Sequence, residues 1–108
     1  PGHLIHLDEW TSSPIYRDSA IRLRSGMAFQ CDVIPSSKRY FSTRMEDTYV
    51  LASAEVQAEL AGRYPDVHAR CLARREFMRN ELGFPVHDDV LPLTNLPGVV
   101  QPYLLNPS

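Results

Sequence analysis

The chain has 108 residues, 44% hydrophobic and 22% charged, with a net charge of −2. That length holds one domain able to fold without disulfide or metal staples, and the charge gives no electrostatic reason to expect nucleic acid or an anionic membrane as partner. No run approaches the roughly 18 apolar residues of a membrane span, and no signal peptide is visible. Cys31 and Cys71 form no CxxC pair and read as reduced core residues of a cytoplasmic protein. No initiator Met precedes the first strand-like segment, which reads as a piece of something longer.

Residues 3–8 alternate as a strand, with His3, Ile5 and Leu7 on one side and Leu4, His6 and Asp8 on the other. His3 and His6 therefore do not both ligate one metal from a regular strand. Residues 10–25, with Thr-Ser-Ser-Pro and Ser25-Gly26, read as a loop ending in a turn. Met27–Ile34 is the cleanest strand, with Met27, Phe29, Cys31 and Val33 as its apolar face and Ala28, Gln30, Asp32 and Ile34 opposite. Pro35–Lys38 is a turn, and a third strand runs from about Tyr40 to Leu51 with Arg44, Glu46, Thr48 and Val50 on one side. Short turns between consecutive strands favour antiparallel pairing.

The second half changes character. A helix starts at Ser53 and runs to Gly62. A stronger one spans Pro65–Leu82, with Pro65 in its first turn, Asp66 at the positive end of the dipole and an apolar stripe of Val67, Cys71, Met78 and Leu82. Gly83 stops it. Arg70, Arg74, Arg75 and Arg79 read as a solvated basic face diluted by Asp66, Glu76 and Glu81. Residues 84–108 carry five prolines, which forbid helix and disfavour central strands. Leu91, Leu93, Leu96, Val99, Val100, Tyr103, Leu104 and Leu105 make this tail apolar enough to drape over a hydrophobic surface. The chain thus divides into a strand-rich part at 1–52, a helical part at 53–83 and a proline-rich tail at 84–108.

The residues that carry chemistry are His3, Asp32 and Glu46, one on each strand-like segment. One imidazole and two carboxylates suit divalent Mn, Co, Fe or Zn. A carboxylate on a sheet face packed by helices needs a partner, because burying an unpaired charge is expensive. A metal is one such partner; the plainer alternative pairs Glu46 with Arg44 or Arg39 on a solvated face.

These segments resemble a known family. Pro-Gly-His3-Leu-Ile-His6-Leu resembles the GHGIG-type segment of the pita-bread metallopeptidases, which include methionine aminopeptidases, Xaa-Pro aminopeptidases, prolidases and creatinase. Gly26-Met27-Ala-Phe29-Gln-Cys-Asp32 resembles their GMxFxxE strand, and Arg44-Met45-Glu46-Asp47-Thr48 their RxED segment. The three occur in the family's order, over about residues 1–51.

The resemblance implies an α+β fold: a twisted, mainly antiparallel sheet with helices on one face, like the C-terminal half of a pita-bread domain. It implies a metal-dependent aminopeptidase-like hydrolase acting on peptide substrates, Xaa-Pro bonds among them. Family members hold two divalent ions, Mn or Co in particular, on two Asp, one His and two Glu. By the resemblance His3 and Glu46 are metal ligands, and Asp32 stands where the ligating and proton-transferring Glu belongs. Asp32 is thus the catalytic candidate.

Departures from the pattern bear on activity. The two upstream Asp ligands are not in this sequence, so the isolated chain is expected to be inactive and to hold one weak ion or none. Asp32 is one methylene shorter than Glu. Trp10 occupies the position where the family has a substrate-binding His, and His6 replaces the second glycine of GHGIG. Trp10 and His6 are candidate substrate-facing residues; a loop anchor and a cleft-edge side chain are their plainer readings. A half-sheet with an exposed edge and apolar surface favours self-association into a homo-oligomer. The rival reading is a non-catalytic pita-bread-like module that binds a peptide or protein.

Overall fold

The computed structural model describes residues 2–5, 13–32, 34–39, 41–42 and 46–94. It is a mixed α+β structure with strands β1 (His3–Leu4), β2 (Ala28–Asp32), β3 (Ser36–Ser37), β4 (Phe41–Ser42) and β5 (Glu46–Leu51). Helices α1 (Ala54–Arg63) and α2 (Pro65–Asn80) follow, and then β6 (Val90–Pro92). A four-stranded antiparallel sheet has the order β1-β2-β5-β6, and β3 and β4 form a separate hairpin.

The sheet is built around β2 and β5. Ala28 faces Val50, Gln30 faces Thr48 and Asp32 faces Glu46, while β1 sets His3 opposite Gln30. Cross-strand partners share a face, and alternate residues along a strand do too. One face therefore carries His3, Gln30, Asp32, Glu46, Thr48 and Val50. The other carries Phe29 and Tyr49, stacked with ring centroids 5.5 Å apart, with Cys31 and Asp47 beside them. Phe29 is fully buried.

The helices cover the β6 end of the first face. Ala52, Cys71 and Leu91 form its buried centre, with Val50, Leu60, Leu72 and Leu93 packed around them. Leu91 pairs with Val50 across β5–β6, so the core and the acidic residues share a face. They lie toward opposite edges of the sheet. Proline occurs in β6 because this is an edge strand, where one side of the backbone needs no ladder partner.

α2 starts with Pro65 in its first turn and Asp66 just inside it. It ends as a glycine terminator should: Gly83 has φ 69°, and the Phe84 amide donates to the Met78 carbonyl at 2.9 Å. Cys71 is buried in the core, and burial pushes its thiol up, with the Arg70 charge opposing.

Three expectations need correction. The strand placed over Tyr40–Leu51 is not continuous: Phe41 takes a left-handed φ of 62° and belongs to the β3–β4 hairpin, so the sheet strand begins at Glu46. Its sequence lacks the Gly or Pro that would mark the break. Cys31 is exposed rather than buried in the core; it lies on the sheet face opposite the Ala52–Cys71–Leu91 cluster, toward the far end of β2 from Ala28. The basic side of α2 is not simply solvated. Arg75 is buried and donates to the Asp88 carbonyl, Arg70 donates to the Leu93 carbonyl at 3.0 Å, and Arg79 donates to the Val86 carbonyl and to Asp88 Oδ1 at 2.7 Å. These long side chains satisfy carbonyls of an irregular segment that no helix supplies with donors. They tie residues 86–93 to α2.

The expected continuation of the first strand through residues 6–8, and the tail from 95 onward, lie outside the described residues. Among the described residues no helix is long and apolar enough to cross a membrane.

The Arg79 guanidinium, first by its hydrogen bond and then by its charge, holds the Asp88 carboxyl below the usual carboxylate range. A depressed acid contributes stability that is complete above its unfolded pKa, about 3.9, and lost as pH falls through the lower folded value. Asp88→Asn should therefore flatten the acid limb of a stability-against-pH profile below about pH 4, read by urea unfolding at several pH values. An unchanged acid limb would show that this pair does not anchor the segment.

Candidate metal centre

The geometry of the acidic face follows from the register. Directly opposed residues in antiparallel strands bring their Cβ atoms to within about 5 Å, so Asp32 and Glu46 must lie side by side. His3, on the neighbouring strand, approaches both from the diagonal position. Its Nε2 lies 3.9 Å from Asp32 Oδ2 and 3.6 Å from Glu46 Oε2. One ligand atom from each residue falls within 4.8 Å of the others. Three side chains far apart in sequence thus converge.

β1 reaches this position because residue 2 is glycine. A Cβ there would lie 2.7 Å from the Gln30 carbonyl oxygen, and φ is +154°, so a side chain would push β1 off β2. Gly2 is also buried, and its carbonyl accepts from the Ser13 hydroxyl. The glycine before His3 is therefore a packing requirement of the site.

The imidazole is also oriented. His3 Nδ1 lies 3.2 Å from the Leu4 carbonyl. A carbonyl only accepts, so the contact is a hydrogen bond in the tautomer that carries its proton on Nδ1; that tautomer leaves Nε2, on the side of the two carboxylates, as the ligand atom. Metal-bound histidines are commonly fixed this way, by a carbonyl or carboxylate on the other ring nitrogen.

The two acids differ in their surroundings. The Asp32 side chain is 14% exposed and that of Glu46 41%. Asp32 Oδ1 is buried and has no hydrogen-bond partner among the described residues. A buried carboxylate oxygen left unsatisfied costs of the order of 1–3 kcal/mol or more, a cost that a cation or a proton donor would offset. Ligands held about 2.1 Å from a divalent ion lie about 3.0–3.5 Å from one another. The His3 contacts, at 3.6 and 3.9 Å, would have to shorten by a few tenths of an ångström, and the cluster as a whole, within 4.8 Å, would contract around an ion. The donor set fits a divalent cation.

Next to this cluster, the Thr48 hydroxyl donates to Gln30 Oε1 at 2.8 Å. Both residues share the row of His3, and the sequence reading assigned them no part in the site. The signal was available: each lies two positions from an acid on its own strand and so projects from the same face. Of the two arginine alternatives for Glu46, Arg44 lies outside the described residues, and Arg39 stands exposed beside the β3–β4 hairpin. Trp10 and His6, the substrate-facing candidates, also lie outside them.

Glu46 supplies a direct test of why the acids are there. Like charges placed directly opposite destabilise a sheet by about 0.2–1 kcal/mol. In metal-free buffer near neutral pH, Glu46→Gln should raise the urea-unfolding free energy by about that much, because it removes repulsion from Asp32. If Glu46 served only as a structural partner of His3, the same change would lower stability. On comparison with known proteins, no family model matches the chain, and neither a curated protein nor a solved structure does.

Proposed function

We propose that the chain contributes His3, Asp32 and Glu46 to the divalent-metal centre of a peptide hydrolase. The observation that carries this reading is the convergence of an oriented imidazole and two carboxylates, one with an unpartnered buried oxygen. The likeness of the three segments that bear them to the pita-bread metallopeptidase motifs supports it.

The residues divide the work by position. His3 offers Nε2 along a direction fixed by the Leu4 carbonyl. Glu46, the more exposed acid, reaches in from the solvent side. Asp32 faces His3 with Oδ2 and keeps Oδ1 without a partner. The Asp32 carboxylate is the group able to take a proton from a water or return one to a leaving amine. A bound Mn or Co ion would supply Lewis-acid polarisation of a carbonyl and a more acidic water. The substrate class is a peptide cleaved near its amino terminus, with Xaa-Pro bonds the leading candidate.

A second reading keeps the site but not the turnover. Asp32 is one methylene shorter than the glutamate of the family, which favours a module that binds peptides without cleaving them.

Calorimetric titration with Mn(II) should give about one ion per chain. His3→Ala should weaken it by more than about tenfold, the scale on which loss of even an outer-shell partner weakens metal sites. Equal affinity in wild type and His3→Ala would reject the metal centre. Given that binding, the protein supplemented with a segment bearing two further acidic ligands should hydrolyse Xaa-Pro or Met-initial peptides above a chelated control. Binding of those peptides without hydrolysis would select the second reading.

A further inference from the structure

The sheet face opposite His3, Asp32 and Glu46 carries an apolar groove of about 560 Å³ formed by the described residues. Tyr49, Val90 and Pro92 line the sheet side, and Met78, Phe84 and Val86 come from the end of α2 and the segment after it. Phe84 is 44% exposed. Burial in this region pushes the Tyr49 phenol up. Contiguous exposed apolar surface of this kind marks a place that something covers.

The chain itself supplies a fitting occupant. Thr94 leaves β6 at the groove's rim: its hydroxyl donates to Asp47 Oδ1 at 2.9 Å and accepts from the Thr48 amide at 3.2 Å. Asp47 lines the groove. Fourteen residues follow, among them Leu96, Val99, Val100, Tyr103, Leu104 and Leu105 with no charged side chain. At about 3.3 Å per residue they reach roughly 45 Å, more than enough to return along the groove. Pro97-Gly98 supplies a turn signal close to the exit point, and Pro102 and Pro107 favour an extended backbone. An uncharged, apolar, proline-spaced segment tethered at the rim starts with a high effective concentration that a separate partner lacks.

We propose that the segment 95–108 folds back onto the Tyr49–Met78–Phe84 groove of its own chain. The groove is then covered by the tail, on the side of the sheet away from His3, Asp32 and Glu46.

The test is nuclear magnetic resonance on the full chain. Methyl-resolved NOESY spectra should show cross-peaks from the Met78 methyl and the Phe84 ring to methyls of Val99, Val100, Leu104 or Leu105. In a sample mixing labelled and unlabelled chains, filtered spectra should lose those peaks, which identifies them as intramolecular. The double variant Leu104→Asp and Leu105→Asp should shift the amides of Tyr49, Met78 and Phe84 and leave those of His3 and Glu46 in place. Absence of tail-to-groove cross-peaks in a folded chain would overturn the proposal. Cross-peaks that survive the filter would overturn it too, by assigning the groove to a second copy.

Discussion

The antiparallel register of β2 against β5 sets two carboxylates directly opposite each other, and much of the acidic face follows from that placement. Moving the pairing by one residue would turn Asp32 or Glu46 to the other side and dissolve the cluster. The register is held from both faces. On one, Phe29 stacks on Tyr49 in the neighbouring row; on the other, Thr48 bonds Gln30 and Val50 packs into the core with Leu91. The sheet thereby holds in place a contact that Coulomb repulsion opposes. In the proposed reading a divalent cation offsets that repulsion.

Other features make sense as support for that arrangement. Gly2 lets β1 approach β2 closely enough for His3 to reach the acids, and the Leu4 carbonyl aims the ring. The helices bury Leu91 and Cys71 at the far edge of the same face, which anchors β5 without covering the ligands. Arg70, Arg75 and Arg79 fasten the irregular segment that leads into and along β6. Structural packing lies toward one edge of the sheet and the candidate chemistry toward the other.

Much of this was legible in the residues. Alternation located the strand around Phe29 and placed Asp32 on its more polar side, and Pro65, Asp66 and Gly83 marked the strong helix nearly to its ends. The grouping of His3, Asp32 and Glu46 followed from three strand-borne ligands in succession. What could not be read had physical causes. Phe41 adopts a left-handed conformation in a segment with no Gly or Pro, so nothing in the pattern announced the extra hairpin. Cys31 looked like core because it alternates with Phe29, but it lies one step nearer the end of β2 and on the face opposite the Ala52–Cys71–Leu91 cluster. Arg75 looked solvated by type; only the path of residues 84–89, which no periodicity encodes, supplied the carbonyl that draws it inward.

The most direct test of the central claim is a Mn(II) titration followed by amide resonances, since the ion broadens signals of nuclei close to it. The three-ligand centre predicts that Gln30, Asp32, Glu46 and the residues flanking His3 broaden first and together, at substoichiometric ion. Broadening that begins instead at the exposed acids of α2 and its following turn, Glu76, Glu81, Asp88 and Asp89, with the β2–β5 signals unaffected, would contradict it.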